Sequence, residues 1–164
     1  MKERLDYAAI SPEGVESVRA LERHVRRSPL DRRLVELVKI RASQLNGCAY
    51  CLDMHTKDAR ALGETEQRLY TLSAWRETPF FDERERAALA WTEAVTKVGD
   101  GIEDALYASV REHFSEPEIV DLTFAVVAIN GWNRLSVAFG RVPGTYQPRP
   151  SHAAGSAHAA ARSG

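Results

Sequence analysis

Two cysteines and a histidine stand close together in the stretch Cys48-Ala-Tyr-Cys51-Leu-Asp-Met-His55. On an α-helix, which turns by about 100° per residue, these three side chains fall within an arc of about 60°. A thiol and an imidazole on adjacent turns can exchange a proton directly or through one water molecule. Cys48 is also expected at the N-terminus of the helix, where free amides and the helix dipole favour a thiolate.

Three interpretations of this cluster are open from the residues alone. In the first the cysteines are structural, because free cysteines are among the most buried side chains. In the second Cys48, Cys51 and His55 bind zinc, although structural zinc takes four protein ligands and the chain has no second cysteine pair. In the third the cysteines form a redox-active dithiol, because a disulfide that closes so short a loop stabilises a fold very little. The dithiol interpretation is favoured.

Glu36 is a further candidate, although helical periodicity alone predicts a solvated side chain. It lies in the apolar run Leu-Val-Glu-Leu-Val, and the helical wheel puts it beside Lys39 and Ser43 on the narrow polar side of a predicted helix. Periodicity therefore gives Glu36 no functional role by itself.

Helical periodicity runs through nearly the whole chain and predicts an all-α domain of seven or eight helices. One helix is expected to begin after Ser11, and a second to follow Asp31 and stop at Gly47. A third is expected over residues 48–62, which contain the cysteines.

The second half of the chain carries further helix signals. Asp82 with Glu85, and Ser115 with Glu118, are spaced as capping boxes that begin helices. Asn130-Gly131 is expected to interrupt the last long segment, so that the residues from 132 onward form a separate helix. The helical domain is predicted over residues 1–143, and residues 144–164 are expected to be a disordered tail, because they hold few large apolar side chains.

The composition limits the classes of protein that this chain can represent. Its 164 residues suit one domain, which buries roughly 70% of the surface of the unfolded chain. The 22 basic and 23 acidic residues give a net charge of -1, which argues against a nucleic-acid-binding protein. No apolar run approaches the roughly 18 residues of a membrane span, and no secretory signal opens the sequence. We therefore expect a cytoplasmic protein that does not contact membranes.

The order of these residues resembles the core motif of AhpD-like alkylhydroperoxidases in the carboxymuconolactone decarboxylase superfamily. Glu36 is followed after twelve positions by Cys48, and Cys51 and His55 complete the motif. The flanking stretches Lys39-Ile40-Arg41, Asn46-Gly47 and Ile-Asn-Gly-Trp-Asn-Arg-Leu at 129–135 are similar as well. The resemblance extends over about residues 34–139.

The resemblance implies a role for each residue of the motif. Cys51 would attack a peroxide and become a sulfenic acid, and Cys48 would resolve it as an intramolecular disulfide. Glu36 and His55 would form a proton relay that activates Cys51 and protonates the departing oxygen. Tyr50 stands where the best-known members have a histidine; its hydroxyl can pass a proton, but it does not replace a histidine as a base at neutral pH.

The resemblance also implies partners and leaves rivals open. The substrate would be hydrogen peroxide or an organic hydroperoxide, and a lipoyl or thioredoxin-like protein dithiol would return the electrons. No organic cofactor or metal is required, and a homo-oligomer, trimeric or hexameric, is expected. A non-enzymatic redox sensor and a zinc-binding interaction module remain alternatives. Superfamily decarboxylases, which act on lactone acids without a redox dithiol, are a further rival, against which the presence of both cysteines argues.

Overall fold

The computed structural model describes residues 2–148, and every regular element in this range is a helix. The α-helices are α1 (Tyr7–Ile10), α2 (Pro12–Arg27), α3 (Arg32–Asn46), α4 (Ala49–Ala61), α5 (Glu66–Thr71), α6 (Glu83–Thr96), α7 (Asp104–His113) and α8 (Glu116–Phe139). Short 3-10 helices, Leu72–Glu77 and Val98–Asp100, follow α5 and α6. The prediction of an all-α domain with seven or eight helices is confirmed for residues 2–148.

The predicted helix starts are built from local hydrogen bonds. The Asp31 carboxylate accepts from the amides of Arg33 and Leu34, at 2.9 and 3.0 Å, and so caps α3. At α6 the capping box is complete, because Asp82 accepts from the Glu85 amide at 2.8 Å and Glu85 accepts from the Asp82 amide at 3.0 Å. These bonds satisfy amides that the first turn of a helix leaves free.

The predicted break at Asn130-Gly131 is wrong, because α8 continues without interruption from Glu116 to Phe139. Asn130 donates a hydrogen bond to the Val126 carbonyl at 2.9 Å, which keeps its side chain on the helix. A Cβ at Gly131 would lie 3.8 Å from Val18 of α2, so the glycine lies where α2 packs on α8. Tertiary packing thus outweighs the roughly 1 kcal/mol by which glycine disfavours a helix.

Helix α3 is the central element, since α4, α6 and α8 all pack against it. Its apolar residues enter two clusters of the core. One cluster joins α3 to α6, α7 and α8 and includes Leu34, Val38, Ala88, Trp91, Leu122 and Val126. The other joins α3 to α4, α6 and the first 3-10 helix and includes Leu37, Ile40, Ala59, Leu72, Trp75 and Leu89. The position of α3 is therefore fixed from several sides.

The predicted tail, residues 144–164, lies for its greater part outside the described residues. Its first five residues are described, and this part of the chain lies against α4, with Gly144 and Tyr146 hydrogen-bonded to that helix. Among residues 2–148, no helix has both the length and the apolar character that crossing a membrane requires.

Candidate active site

A tight turn between α3 and α4 places the first cysteine at the start of α4. Gly47 ends α3 with a left-handed backbone, at φ 65°, which residues with a side chain adopt only at a cost. Cys48 follows as the N-cap of α4, and its Sγ accepts a hydrogen bond from the Cys51 amide at 3.3 Å. The positive end of the helix dipole therefore lies at the cysteine pair, as the sequence predicts.

Cys48 and Cys51 are joined by a disulfide in this structure. Each cysteine is only 1% exposed, and the pair packs with Ala42 and Ile129. Their Cα atoms are 5.4 Å apart, which lies within the usual range for a disulfide. The first turn of α4 thus accommodates the oxidised form of the pair, in which neither sulfur offers a thiolate to a metal ion.

The Glu36 carboxylate faces His55 across the contact between α3 and α4. The Glu36 Oε2 and His55 Nδ1 atoms are 2.7 Å apart, and the side chains are 13% and 5% exposed. The expectation of a solvated Glu36, drawn from periodicity, is therefore wrong. The polar side of α3 is buried, with Lys39 and Ser43 almost fully covered, because further helices pack around it.

Several groups set the charge of Glu36. Burial acts to raise the pKa of this carboxyl, but the hydrogen bond and charge of His55, together with Lys39 and Arg26, outweigh burial and lower it. Lys39 pairs with Glu22 on α2 and lies 4.0 Å from Glu36 Oε1. Glu36 is accordingly an ionised carboxylate at neutral pH, held close to an imidazole.

His55 uses only one of its two ring nitrogens in a hydrogen bond. Nδ1 faces Glu36, whereas Nε2 is buried and has no hydrogen-bond partner among the described residues. A carboxylate on Nδ1 orients the imidazole ring and fixes which nitrogen carries the proton. His55 lies one helical turn after Cys51, so the imidazole and the Cys51 side chain lie on the same side of α4.

A second carboxyl, that of Asp58 on α4, lies beside this pair. Tyr146, from the segment after α8, donates a hydrogen bond to Asp58 Oδ1 at 2.7 Å. Burial and the charge of Glu36 raise the pKa of Asp58, while the Tyr146 hydroxyl opposes them. Burial and the bond to Asp58 raise the pKa of Tyr146, so that its hydroxyl remains a donor. Sequence reasoning missed both residues, because Asp58 has no motif partner and Tyr146 lies in the predicted tail.

The cluster also has the spacing of a possible metal site. Ligand atoms of Glu36, His55 and Asp58 all lie within 4.8 Å of one another. However, His55 Nδ1 is bonded to Glu36, Tyr146 donates to Asp58, and the Lys39 ammonium brings a positive charge to the same place. These contacts suit side chains that share protons better than side chains that hold a cation.

Tyr50 lies at the edge of the cysteine cluster and not in the Glu36–His55 pair. Its half-buried ring packs against the buried residues around the disulfide, and the Arg141 guanidinium lies 4.6 Å from the ring centroid. A role for its hydroxyl in proton transfer stays a prediction.

A network of side-chain amides fixes the end of α3 that leads to Cys48. Asn46 donates to the side-chain oxygens of Asn130 and Asn133 on α8, at 2.9 and 2.8 Å. Asn133 in turn donates to Ser43 Oγ at 3.0 Å. Asn46 lies more than 80 positions from both of its asparagine partners. The network therefore gives no sequence signal of its own, apart from the Asn-Gly-Trp-Asn stretch that the resemblance includes.

Comparison with known proteins places these residues in a family. The model of the carboxymuconolactone decarboxylase family matches residues 12–94, which include the whole Glu36-to-His55 motif. The uncharacterized protein YdfG of Bacillus subtilis (strain 168) is 47% identical over 141 residues, covering 85% of this chain and 96% of YdfG. The uncharacterized protein YnjA of Escherichia coli (strain K12) is 32% identical over 114 residues, covering 70% of this chain and 60% of YnjA.

Solved structures have the same fold. A protein of unknown function from Agrobacterium tumefaciens, provisionally named as the antioxidant defence protein AhpD, is 45% identical with a TM-score of 0.85, covering 88% of this chain and 100% of that one. An uncharacterized peroxidase-related protein from Silicibacter sp. TM1040 is 26% identical with a TM-score of 0.73, covering 81% and 71%. The debrominase Bmp8, 17% identical with a TM-score of 0.75 over 84% and 74%, is similar in fold alone.

Proposed function

This chain belongs to the carboxymuconolactone decarboxylase family, with an AhpD-like fold, and from that premise we propose that it is a thiol-dependent peroxidase. The observation that carries the proposal is the buried Cys48–Cys51 disulfide, one helical turn from a His55 imidazole that is paired with Glu36. The names of two similar structures, an antioxidant defence protein and a peroxidase-related protein, support the same chemistry.

The proposed cycle uses both cysteines in turn. The Cys51 thiolate attacks one oxygen of a hydroperoxide, the O–O bond breaks, and Cys51 becomes a sulfenic acid while the other oxygen leaves with a proton as an alcohol or water. The Cys48 thiol then attacks the sulfenic sulfur, which forms the disulfide and releases water. An external dithiol reduces the disulfide and is itself oxidised, which returns both thiols.

His55 and Glu36 supply the proton steps of this cycle. His55 takes the proton of the Cys51 thiol at Nε2 and later gives a proton to the departing oxygen. Glu36, bonded to Nδ1, orients the ring and stabilises its positive charge. Tyr50 is proposed as a minor participant, whose hydroxyl passes protons at the edge of the cysteine cluster.

The partners belong to the proposal as well. Hydrogen peroxide or an organic hydroperoxide is the substrate, a lipoyl or thioredoxin-like protein is the reductant, and the cytoplasm is the compartment. A homo-oligomer is proposed too, because α8 exposes Val120, Phe124 and Val127 at helical spacing beside the exposed Tyr107. Light scattering of the protein and of Phe124→Asp tests this point: a monomeric wild-type protein would contradict it.

The function is tested by counting thiols and measuring intact mass before and after one equivalent of cumene hydroperoxide. Loss of both thiols and of two hydrogen masses, reversed by dihydrolipoamide, is the expected result. Cys51→Ser should consume no peroxide, whereas its matched control Cys48→Ser should form a sulfenic acid at Cys51 that dimedone traps. Thiols that survive peroxide unchanged would contradict the proposal, and oxidation without repeated turnover under reductant would favour a redox sensor.

A further inference from the structure

The chain segment that follows α8 is hydrogen-bonded along α4, the helix that begins at the cysteine pair. The Gly144 amide donates to Asp53 Oδ2 at 2.9 Å, and the Lys57 ammonium donates to the Tyr146 carbonyl at 3.1 Å. The Tyr146 hydroxyl donates to Asp58 Oδ1 at 2.7 Å. Of these three bonds, only the bond between Tyr146 and Asp58 reaches the Glu36–His55 pair, because Asp58 lies beside that pair.

Titratable groups from three parts of the fold act on Asp58, and a group from a fourth part acts on its neighbours. Within the described residues they are Glu36 and Lys39 on α3, His55 on α4, Tyr146 on the segment after α8, and Arg26 on α2, whose charge acts on Glu36 and Tyr146. Lys39 and Arg26 offset part of the negative charge of Glu36. The positive charge of a protonated His55 acts to lower the pKa of Asp58, so the two groups attract each other.

We propose that Asp58 and Tyr146 are positioning residues of the thiol chemistry. The Asp58 carboxylate stabilises the protonated form of His55, and the Tyr146 hydroxyl holds that carboxylate in place and in its charged form. This inference rests on the proposed function, in which a protonated His55 donates a proton to the oxygen that leaves the peroxide.

The geometry gives the sign of the effect on Cys51. When the Cys51 proton moves to His55, a negative charge forms at sulfur and a positive charge forms on the ring. A ligand oxygen of Asp58 lies within 4.8 Å of a ring nitrogen of His55, whereas Asp58 comes two helical turns after Cys51, about 10 Å along the axis. Asp58 therefore stabilises the positive ring more than it repels the thiolate, and its removal should make the thiolate harder to form.

The test is the pH dependence of alkylation in the reduced full-length protein, which needs no peroxide. The rate at which iodoacetamide labels Cys51 is measured across pH, with fragment-ion mass spectrometry to separate Cys51 from Cys48. Asp58→Asn should move the midpoint of the rate profile upward by about 0.5 to 1 pH unit. Tyr146→Phe, which leaves Asp58 in place but without its donor, should move the midpoint in the same direction by less.

Asp53→Asn is the matched control. It removes the same charge from the same helix and weakens the same segment, but Asp53 pairs with Lys57 and lies closer in sequence to Cys51. Its midpoint should stay at the wild-type value or move downward, because a charge near the thiolate is lost. Circular dichroism checks that each variant folds.

The outcomes separate this inference from the proposed function. Upward shifts in Asp58→Asn and Tyr146→Phe, with none in Asp53→Asn, support it even if the protein consumes no peroxide. Unchanged midpoints in folded Tyr146→Phe and Asp58→Asn would overturn it, even if the protein is an active peroxidase. Equal upward shifts in all three variants would also overturn it, since they would reflect loosening of the segment and not the position of Asp58.

Discussion

Helix α3 contributes to two clusters of charged residues that differ in how fully their polar atoms are bonded. In the first, Glu93 on α6 accepts hydrogen bonds from Arg41 Nε, Trp75 Nε1 and Arg76, at 2.8, 2.8 and 2.6 Å. Both carboxylate oxygens are used. Arg41 also donates to Gln44 at 3.0 Å. The bonds tie α3, α6 and the first 3-10 helix together.

The second cluster, around Glu36, contains fewer bonds than its polar atoms could make. His55 Nε2 and one oxygen of Glu22 are buried without a hydrogen-bond partner among residues 2–148. The carboxyl of Asp58 also lies beside Glu36, and the charge of Glu36 raises the pKa of Asp58. A buried polar atom without a partner costs about 1–3 kcal/mol, so the protein contacts of this cluster stabilise the fold less than those of the first.

The difference between the clusters indicates what each one does. A carboxylate whose two oxygens both accept hydrogen bonds from fixed cationic or indole donors stabilises a fold but is poorly placed to move a proton. A buried imidazole with a free nitrogen and an ionised partner can bind and release one at little rearrangement. We therefore expect the Glu93 cluster to stabilise the fold, and the proposed thiol chemistry to depend on the Glu36 cluster.

The largest effect that should separate the clusters is the effect of one glutamate-to-glutamine change on reactivity. Glu36→Gln keeps the size of the side chain but removes the negative charge beside the His55 ring. The rate of thiol oxidation by cumene hydroperoxide should therefore fall about 100-fold. Stopped-flow fluorescence of the pre-reduced protein measures this rate. Glu93→Gln should keep the wild-type rate, and a comparable loss in both variants would remove the distinction.

Stability should change in the opposite order. Glu93→Gln leaves Arg41 and Arg76 without their anionic partner and should lower the free energy of unfolding by about 2 kcal/mol. Glu36→Gln should cost clearly less, because its surroundings are already incompletely bonded. Urea denaturation at neutral pH measures both, and a Glu36→Gln variant that is the less stable of the two would contradict the assignment.

The acid limb of the stability profile gives a smaller effect. Burial acts to raise the pKa of Glu93, but the hydrogen bonds from Trp75, Arg76 and Arg41 outweigh it and lower the pKa. A lowered pKa means that the unfolded state binds the proton first, so the contribution of Glu93 is present above the usual pKa near ~4.3 and is lost as pH falls further.

Glu93→Gln should therefore show a flatter decline of stability below about pH 4.3 than the wild-type protein does. Denaturation midpoints measured at intervals between neutral and acidic pH check this. A decline of equal steepness in both proteins would mean that other carboxyls govern acid unfolding.

Much of the fold follows from signals that are local in sequence. The helix starts at Asp31 and Asp82, and the stop at Gly47, depend on side chains and backbone angles within a few residues. The predicted break at Asn130-Gly131 failed because the continuity of α8 depends on α2 and α3, which are distant in sequence.

The site was predictable to a more limited extent. The position of Cys48 at the start of α4 follows from helix geometry, and the resemblance singled out Glu36, which periodicity alone predicts to be solvated. The sequence did not indicate Asp58 and Tyr146, because their hydrogen bond joins positions 88 residues apart and Tyr146 lies in a segment that composition assigns to a tail. Roles that depend on distant contacts require the structure.

The smallest expected effect tests whether the charged residues around Glu36 lower the stability of the fold. Because burial and Glu36 raise the pKa of Asp58, the folded state holds that proton more tightly than the unfolded state, and the charged carboxylate destabilises the fold at neutral pH. Asp58→Asn, whose amide oxygen can still accept from Tyr146, should raise the unfolding temperature at pH 7 by on the order of 1 °C. The gain should shrink as pH falls toward the usual aspartate pKa near ~3.9.

Asp53→Asn should instead lower the unfolding temperature, because the hydrogen bonds from Lys57 and Gly144 lower the pKa of Asp53. Differential scanning fluorimetry of the two variants distinguishes these signs. Stabilisation by Asp58→Asn together with slower thiol chemistry is the pattern expected where a carboxyl is retained for reactivity, and destabilisation by it would place Asp58 with Glu93 among the residues that hold the fold.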